Sequence, residues 1–259
     1  MSVLETGHSY TVLPYYLVVD VSQSMRQTRS GADQRRVIDE VEHWCATLLN
    51  LFSQDAASSA TVMAEFGLDE DTYEMVRDYL RLSIIEFSSE ARVAVPLTSP
   101  RERVSWSGLS QDGVLTDYKA AFRMLRRTIL DDRARDRHAA WFRPGVIFIT
   151  DGVPEDHTGL QLYDRWNGSY QALNHMDPDL VPGIVAVGCG GFSKRALQCV
   201  GTRSHGGRVF QWQGGQLSHK MVGEIFRSIV RSIRFSVRSE TFAFPPAMEG
   251  FRCLPPLGY

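Results

Sequence analysis

The chain has 259 residues, of which 43% are hydrophobic and 22% are charged, and its formal net charge is −2. This composition excludes a chain that is disordered throughout, and the near-neutral charge provides no overall field that would attract nucleic acid or an anionic membrane. The sequence has no apolar run of about 18 residues and no N-terminal signal pattern, so we expect a soluble, cytoplasmic protein that binds neither nucleic acid nor membrane. The four cysteines lack C-x-x-C spacing, which argues against a zinc site or a disulfide framework.

Apolar residues along the chain follow two kinds of periodicity. Continuous apolar runs, such as 15–19, are typical of strands buried on both faces, whereas spacings of three and four residues, as in 37–51, indicate amphipathic helices. Pro96 places its strand at an edge of the sheet, and Ser30 or Asp33 is the candidate cap of the first helix. In chain order the predicted elements are a strand at 15–19, a helix at 37–51, strands at 80–87 and 92–97, a helix at 116–130, strands at 145–149 and 184–187, a helix at 193–200, a strand at 208–212 and a helix at 221–233.

The alternation of strands and helices predicts the fold class. We expect a doubly wound α/β fold with a mostly parallel central sheet, one antiparallel edge strand and helices on both faces. One domain would occupy residues 1–235, with an insertion at about 53–79 that ends in an acidic helical segment. Residues 236–259 contain two Pro-Pro pairs and predict an extended C-terminal tail.

Polar residues at the predicted strand ends point to a metal site. In an open parallel sheet, ligands bind at the carboxyl ends of the strands. Five oxygen-bearing side chains from three separate segments are expected at that edge: Asp20, Ser22, Ser24, Thr116 and Asp151. Oxygen ligands suit a hard divalent cation, and Mg²⁺ seldom takes all six of its ligands from protein. Because neutral hydroxyls leave much of the cation's charge uncompensated, an open coordination position would attract an external carboxylate, and no bond need be broken.

The same segments carry a resemblance to a known family. They are DVSQS at 20–24, GVLTDYKAAF at 113–122 and FITDGVPED at 148–156. Over about residues 12–234 the chain resembles the von Willebrand factor A domains, whose metal-ion-dependent adhesion site combines Asp-x-Ser-x-Ser with a Thr and an Asp from two further loops. The resemblance implies that the three hydroxyls contact the metal and that the two carboxylates act directly or through water. The chain departs from many relatives at Leu115, where they have Gly.

The resemblance also implies a cofactor and a kind of partner. The ion would be Mg²⁺ or Mn²⁺, ahead of Ca²⁺, and the partner would be a protein that presents an Asp or Glu to it. The segments GVPED and VAVGCGGF are similar to bacterial TerY-type proteins of tellurite-resistance and stress gene clusters. That likeness implies a Ser/Thr kinase, a metal-dependent phosphatase or a tellurium-resistance protein as the partner.

Three functions remain open on the sequence alone. The favoured one is a non-catalytic, metal-dependent protein-interaction module. The second is a metal-dependent phosphate-ester hydrolase with Asp20 as nucleophile or water activator, which would need a general acid from Glu155, Asp156 or His157. The third is a structural domain whose metal site is vestigial.

Overall fold

The computed structural model describes residues 10–26, 36–50, 60, 63–64, 69–99, 101–102, 104–202, 205–213 and 219–255. The predicted cap candidates Ser30 and Asp33, the first part of the insertion at 53–59 and the last four residues of the tail lie outside this description. Among the described helices, none has the length and apolar character needed to cross a membrane. No disulfide links the four cysteines.

The elements follow one another largely as the sequence predicts. The strands are β1 (Tyr10–Asp20), β2 (Leu80–Phe87), β3 (Ala91–Thr98), β4 (Ala139–Trp141), β5 (Gly145–Thr150), β6 (Glu155–Asp156), β7 (Gly159–Leu160), β8 (Gly183–Gly188), β9 (Arg208–Trp212) and β10 (Phe251–Leu254). The described helices are α1 (Gln23–Arg26), α2 (Val37–Asn50), α3 (Glu70–Tyr79), α4 (Tyr118–Arg135), α5 (Tyr163–Asn174), α6 (Lys194–Val200) and α7 (His219–Ser239).

The main sheet has the strand order β10-β9-β8-β5-β1-β2-β3, and β4 pairs with the beginning of β1. Neighbours from β9 to β2 are parallel, whereas β3 is antiparallel to β2 and β10 is antiparallel to β9. The predicted mostly parallel sheet is therefore confirmed, with a correction: it has two antiparallel edge strands instead of one. The second edge exists because Phe251–Leu254, predicted as part of the extended tail, pairs with β9.

Both faces of the central strand β1 are covered by helices. Successive side chains of a strand point to opposite faces. Tyr15 and Leu17 accordingly lie in the core cluster that includes α2, α3 and α7, while Tyr16 and Val18 lie in the cluster that includes α4, α5 and α6. All four side chains are fully buried. This burial explains the continuous apolar run of β1 and confirms helices on both faces.

An aromatic cluster fixes β5 against the helices of the second face. The ring of Phe148 lies 5.0 Å from the rings of Phe87 and Tyr118 and 5.5 Å from that of Phe122. Trp166 of α5 packs on Phe122 at 5.7 Å. The cluster therefore holds the carboxyl end of β5 next to the N-terminus of α4.

Candidate metal centre

Two adjacent strand ends fix the position of the Asp20 carboxylate. The parallel register pairs Val19 of β1 with Ile149 of β5, so the ends of these strands lie side by side. The Thr150 hydroxyl donates to Asp20 Oδ2 at 2.6 Å, and the Ser22 amide donates to Asp20 Oδ1 at 2.9 Å. Asp20 is thus held both by its own loop and by the neighbouring strand.

Two serines extend this network to the loop after β5. Ser22 Oγ lies 3.1 Å from Ser24 Oγ, and the Ser24 hydroxyl donates to Asp151 Oδ1 at 2.6 Å. Asp20, Ser22 and Asp151 are buried, whereas Ser24, at the start of α1, is partly exposed. The network therefore reaches the surface of the molecule at Ser24.

A third loop places Thr116 against the backbone that follows Asp151. The Glu155 amide donates to the Thr116 carbonyl at 2.9 Å. A Cβ atom added to Gly152 would lie 2.5 Å from Thr116 Oγ1, closer than real Cβ contacts come. The approach of this hydroxyl therefore requires glycine at position 152.

The start of α4 differs from the prediction in a way that concerns Thr116. The sequence places the helix start at Thr116, but α4 begins at Tyr118. Asp117 is its N-cap and accepts the Ala120 amide at 2.9 Å. Because an aspartate supplies the cap, the Thr116 hydroxyl lies in the loop ahead of the helix and does not serve as the N-cap.

Two carboxylates from other elements anchor the loop that leads to Thr116. Glu86 of β2 accepts the Ser110 amide at 2.7 Å and also pairs with Arg92, and Glu42 of α2 accepts the Leu109 amide at 3.0 Å. Glu86 is buried. The sequence alone does not predict these anchors. The signal for Glu86 is a glutamate near the end of the otherwise largely apolar strand LRLSIIEF.

The structure thus brings together all five side chains for which the sequence predicts a metal role: Asp20, Ser22, Ser24, Thr116 and Asp151. They come from three loops and are linked by direct hydrogen bonds or, for Thr116, by close packing on Gly152. Two further residues support the centre without having been predicted from the sequence: Thr150, whose hydroxyl holds Asp20, and Gly152, which leaves room for Thr116.

Burial dominates the electrostatics of this centre. Desolvation raises the pKa of Asp20 to about 7; hydrogen bonds from Ser22 and Thr150 oppose this rise, and the nearby charge of Asp151 adds to it. Both carboxylates are almost completely withdrawn from solvent, with exposed fractions of 0% for Asp20 and 2% for Asp151. Buried carboxylates are costly unless they are hydrogen-bonded or coordinate a metal.

The donor set fits a hard divalent cation. It consists of two carboxylates and three hydroxyls, which are the oxygen ligands that Mg²⁺ and Mn²⁺ accept. The described residues contain no group of three or more His, Cys, Asp or Glu side chains that could hold a metal ion. The candidate centre has two carboxylates and three hydroxyls, so its donors are all oxygen atoms and carry at most two negative charges. An ion held here would keep some of its attraction for an anion.

The three residues considered as general acids lie on a hairpin beside the centre. β6 and β7 form this hairpin, with His157 in its exposed turn and Glu155 exposed at its base. Hydrogen bonds from Thr158 lower the pKa of Asp156, so this carboxyl is ionised at neutral pH and unsuited to donate a proton.

A comparison with protein families gives a match over more than half of the chain. The model of the von Willebrand factor type A domain matches residues 15–153, which contain all five residues of the candidate centre. No curated protein sequence matches the chain.

Solved structures show the same fold at low sequence identity. The PilB minor pilin from Streptococcus sanguinis superposes with a TM-score of 0.55 at 12% identity, covering 88% of this chain and 63% of that one. A von Willebrand factor type A protein from Catenulispora acidiphila gives 0.52 at 11%, covering 86% and 43%. Proximal thread matrix protein 1 from the mussel byssus gives 0.51 at 14%, covering 88% and 49%. The chain thus spans 43% to 63% of the length of these three proteins.

Proposed function

Because the chain belongs to the von Willebrand factor type A domain family, a family of metal-binding protein-interaction domains that are generally non-catalytic, we propose that it is a metal-dependent interaction module. A single Mg²⁺ or Mn²⁺ ion is held by Asp20, Ser22, Ser24, Thr116 and Asp151, and it accepts an Asp or Glu side chain of a partner protein.

One observation carries this proposal: side chains from three loops, remote in sequence, meet at the carboxyl edge of the sheet in a connected, oxygen-only cluster. The ion supplies a positive charge for a partner carboxylate, and the residues of the chain supply its position. Asp20 is fixed by Thr150, Ser24 joins Asp151, and Gly152 leaves room for the Thr116 hydroxyl.

The finer expectations from the sequence stay predictions. They are the TerY-type assignment, the stress or tellurite-resistance context, the cytoplasmic location, and a kinase, phosphatase or tellurium-resistance protein as partner. The hydrolase alternative gains no support from the hairpin, since Asp156 is held ionised and His157 lies in an exposed turn.

We expect Mg²⁺ or Mn²⁺ to raise the thermal unfolding midpoint of the protein. An ion at 100 times its Kd that binds only the folded state stabilises it by about 2.7 kcal/mol, which for a chain of this size corresponds to roughly 5–10 °C. The rise should be reversed by chelator and absent in the Ser22→Ala/Ser24→Ala variant. Scanning calorimetry measures the midpoint, and titration calorimetry with Mn²⁺ measures the affinity.

The matched control is Ser99→Ala/Ser239→Ala, which also removes two hydroxyls but outside the candidate centre. This control should respond to Mn²⁺ as the unaltered protein does. An equal response of the Ser22→Ala/Ser24→Ala variant would refute the proposed centre. Hydrolysis of a generic phosphate ester that requires Mn²⁺ and is lost in Asp20→Ala would instead establish the enzymatic alternative.

A further inference from the structure

Exposed apolar side chains are concentrated around the candidate metal centre. In the part of the chain that the structure describes, four of the seven large apolar side chains that are exposed lie in the two segments that carry Thr116 and Asp151, 104–117 and 151–162. They are Val114, Val153, Leu160 and Leu162, with exposed fractions of 58%, 40%, 61% and 64%. Exposed apolar side chains gathered in one place mark interaction surfaces, whereas single ones are ordinary.

Three of these side chains line a cavity of about 520 Å³, whose lining begins at Val153, two residues after Asp151. The segment that follows Asp151 contributes Val153, Leu160 and Leu162 to its lining, here called the apolar wall, and α5 and α6 contribute Trp166 and Ala196. The cavity is within the usual size range of binding pockets, about 300–1,000 Å³. Its walls are mainly apolar, so it suits an apolar occupant.

Gln161 ties this wall to the metal loop. Gln161 lies between the two exposed leucines in sequence, but its own side chain is buried. Its Nε2 donates to Asp117 Oδ1 at 2.7 Å. Its Oε1 accepts the Tyr118 amide at 3.1 Å, and its own amide donates to the Pro154 carbonyl at 2.8 Å. Asp117 directly follows Thr116, so Leu160 and Leu162 are held in a fixed position relative to the metal centre.

Charge and distance indicate which kind of partner segment the cavity could bind. Lys194 and Arg195 are exposed at the start of α6. Arg195 lines the cavity together with a single carboxylate, Asp164, and a cation bound at the centre would add positive charge. Val153 lies two residues from Asp151, and two extended residues span at most about 7 Å. A partner segment whose carboxylate reaches the ion can therefore place a side chain in the cavity a few residues away.

We propose that this cavity, here called the apolar rim cavity, binds a large apolar side chain of the same partner segment that supplies the carboxylate. The partner is a protein with an Asp or Glu within about three residues of Leu, Ile, Met, Phe or Trp, bound in an extended conformation at about 3.3 Å per residue. This inference rests on the proposed function and specifies the partner of that site.

The test uses displayed heptapeptides with a fixed central Asp and random residues elsewhere, selected on the protein in Mn²⁺. We expect enrichment of large apolar residues within three positions of the Asp. In a selected synthetic peptide, replacing the apolar residue by Ser should weaken binding at least tenfold. The Leu160→Ser/Leu162→Ser variant should lose the same factor, because it removes the apolar wall.

A control variant and a second measurement separate this inference from the proposed function. Val93→Ser/Phe235→Ser removes two exposed apolar side chains outside the cavity and should leave peptide affinity unchanged. All these variants should retain the Mn²⁺-induced rise in unfolding midpoint.

Metal-dependent peptides that need the Asp but show no apolar preference would overturn the inference and leave the proposed function standing. A Leu160→Ser/Leu162→Ser variant with full peptide affinity would do the same. Peptides that bind equally in chelator or with Asn in place of the Asp would overturn both. A selection that yields no peptide would overturn the inference, and the Mn²⁺ titration would then decide the proposed function alone.

Discussion

Replacing Gly152 by alanine is expected to weaken Mn²⁺ binding by roughly 10- to 100-fold, the range seen when the support of metal ligands is disturbed. The added Cβ would lie 2.5 Å from Thr116 Oγ1 and 2.9 Å from Thr116 Cγ2. Threonine is β-branched and stiff, and the Thr116 carbonyl is held by the Glu155 amide. The hydroxyl therefore has to move away from the centre. Titration calorimetry with Mn²⁺ gives the affinity.

The chain offers a matched control for this glycine. A Cβ added to Gly168 in α5 would meet no atom within 4 Å, so Gly168→Ala should bind Mn²⁺ normally and gain up to about 1 kcal/mol in folding stability. Unchanged Mn²⁺ affinity in Gly152→Ala would show that the Thr116 hydroxyl does not contribute to binding the ion.

Replacing Phe148 by alanine is expected to lower the free energy of unfolding by about 3–5 kcal/mol. Phe148 is fully buried and packs against Phe87, Tyr118 and Phe122, so its loss leaves a cavity that these rings cannot fill. Native domains are stable by only about 5–15 kcal/mol, so the change removes a large part of the total. Urea titration should show a lower midpoint with an unchanged slope.

The comparison for Phe148 is a phenylalanine at the surface. Phe235 of α7 has an exposed fraction of 49%, and Phe235→Ala should change the free energy of unfolding by no more than about 0.5 kcal/mol. A loss below about 1 kcal/mol in Phe148→Ala would contradict the role given to the aromatic cluster.

The sequence predicts the fold best where the elements are buried on both faces. The apolar run at 15–19 identifies β1, and 208–212 coincides with β9. The helix α5 was missed because its sequence, YDRWNGSYQALN, is mostly polar and contains Gly168, and only three of its residues are buried. The strand β10 was missed because it is defined by pairing with β9, some 40 residues earlier, and the prolines around it suggest an extended tail.

The candidate centre was predictable as a set of residues but not as a set of contacts. The order of Asp20, Thr116 and Asp151 along the chain, each next to a predicted strand end or helix start, was enough to group them. The hydrogen bond from Thr150 to Asp20 depends on the register between β1 and β5, and the position of Gln161 depends on the hairpin. Neither register nor hairpin geometry follows from local patterns in one sequence.

The two outer strands of the sheet limit how this molecule can recognise others. An exposed strand edge can recruit an extended segment from another protein through main-chain hydrogen bonds, and proteins discourage this with prolines or very short edge strands. Here β3 carries Pro96, which lacks an N–H, and β10 has only four residues. Extension of the sheet by a strand of another protein is thus disfavoured at both edges. We therefore expect this molecule to recognise its partners through side chains and not through strand pairing.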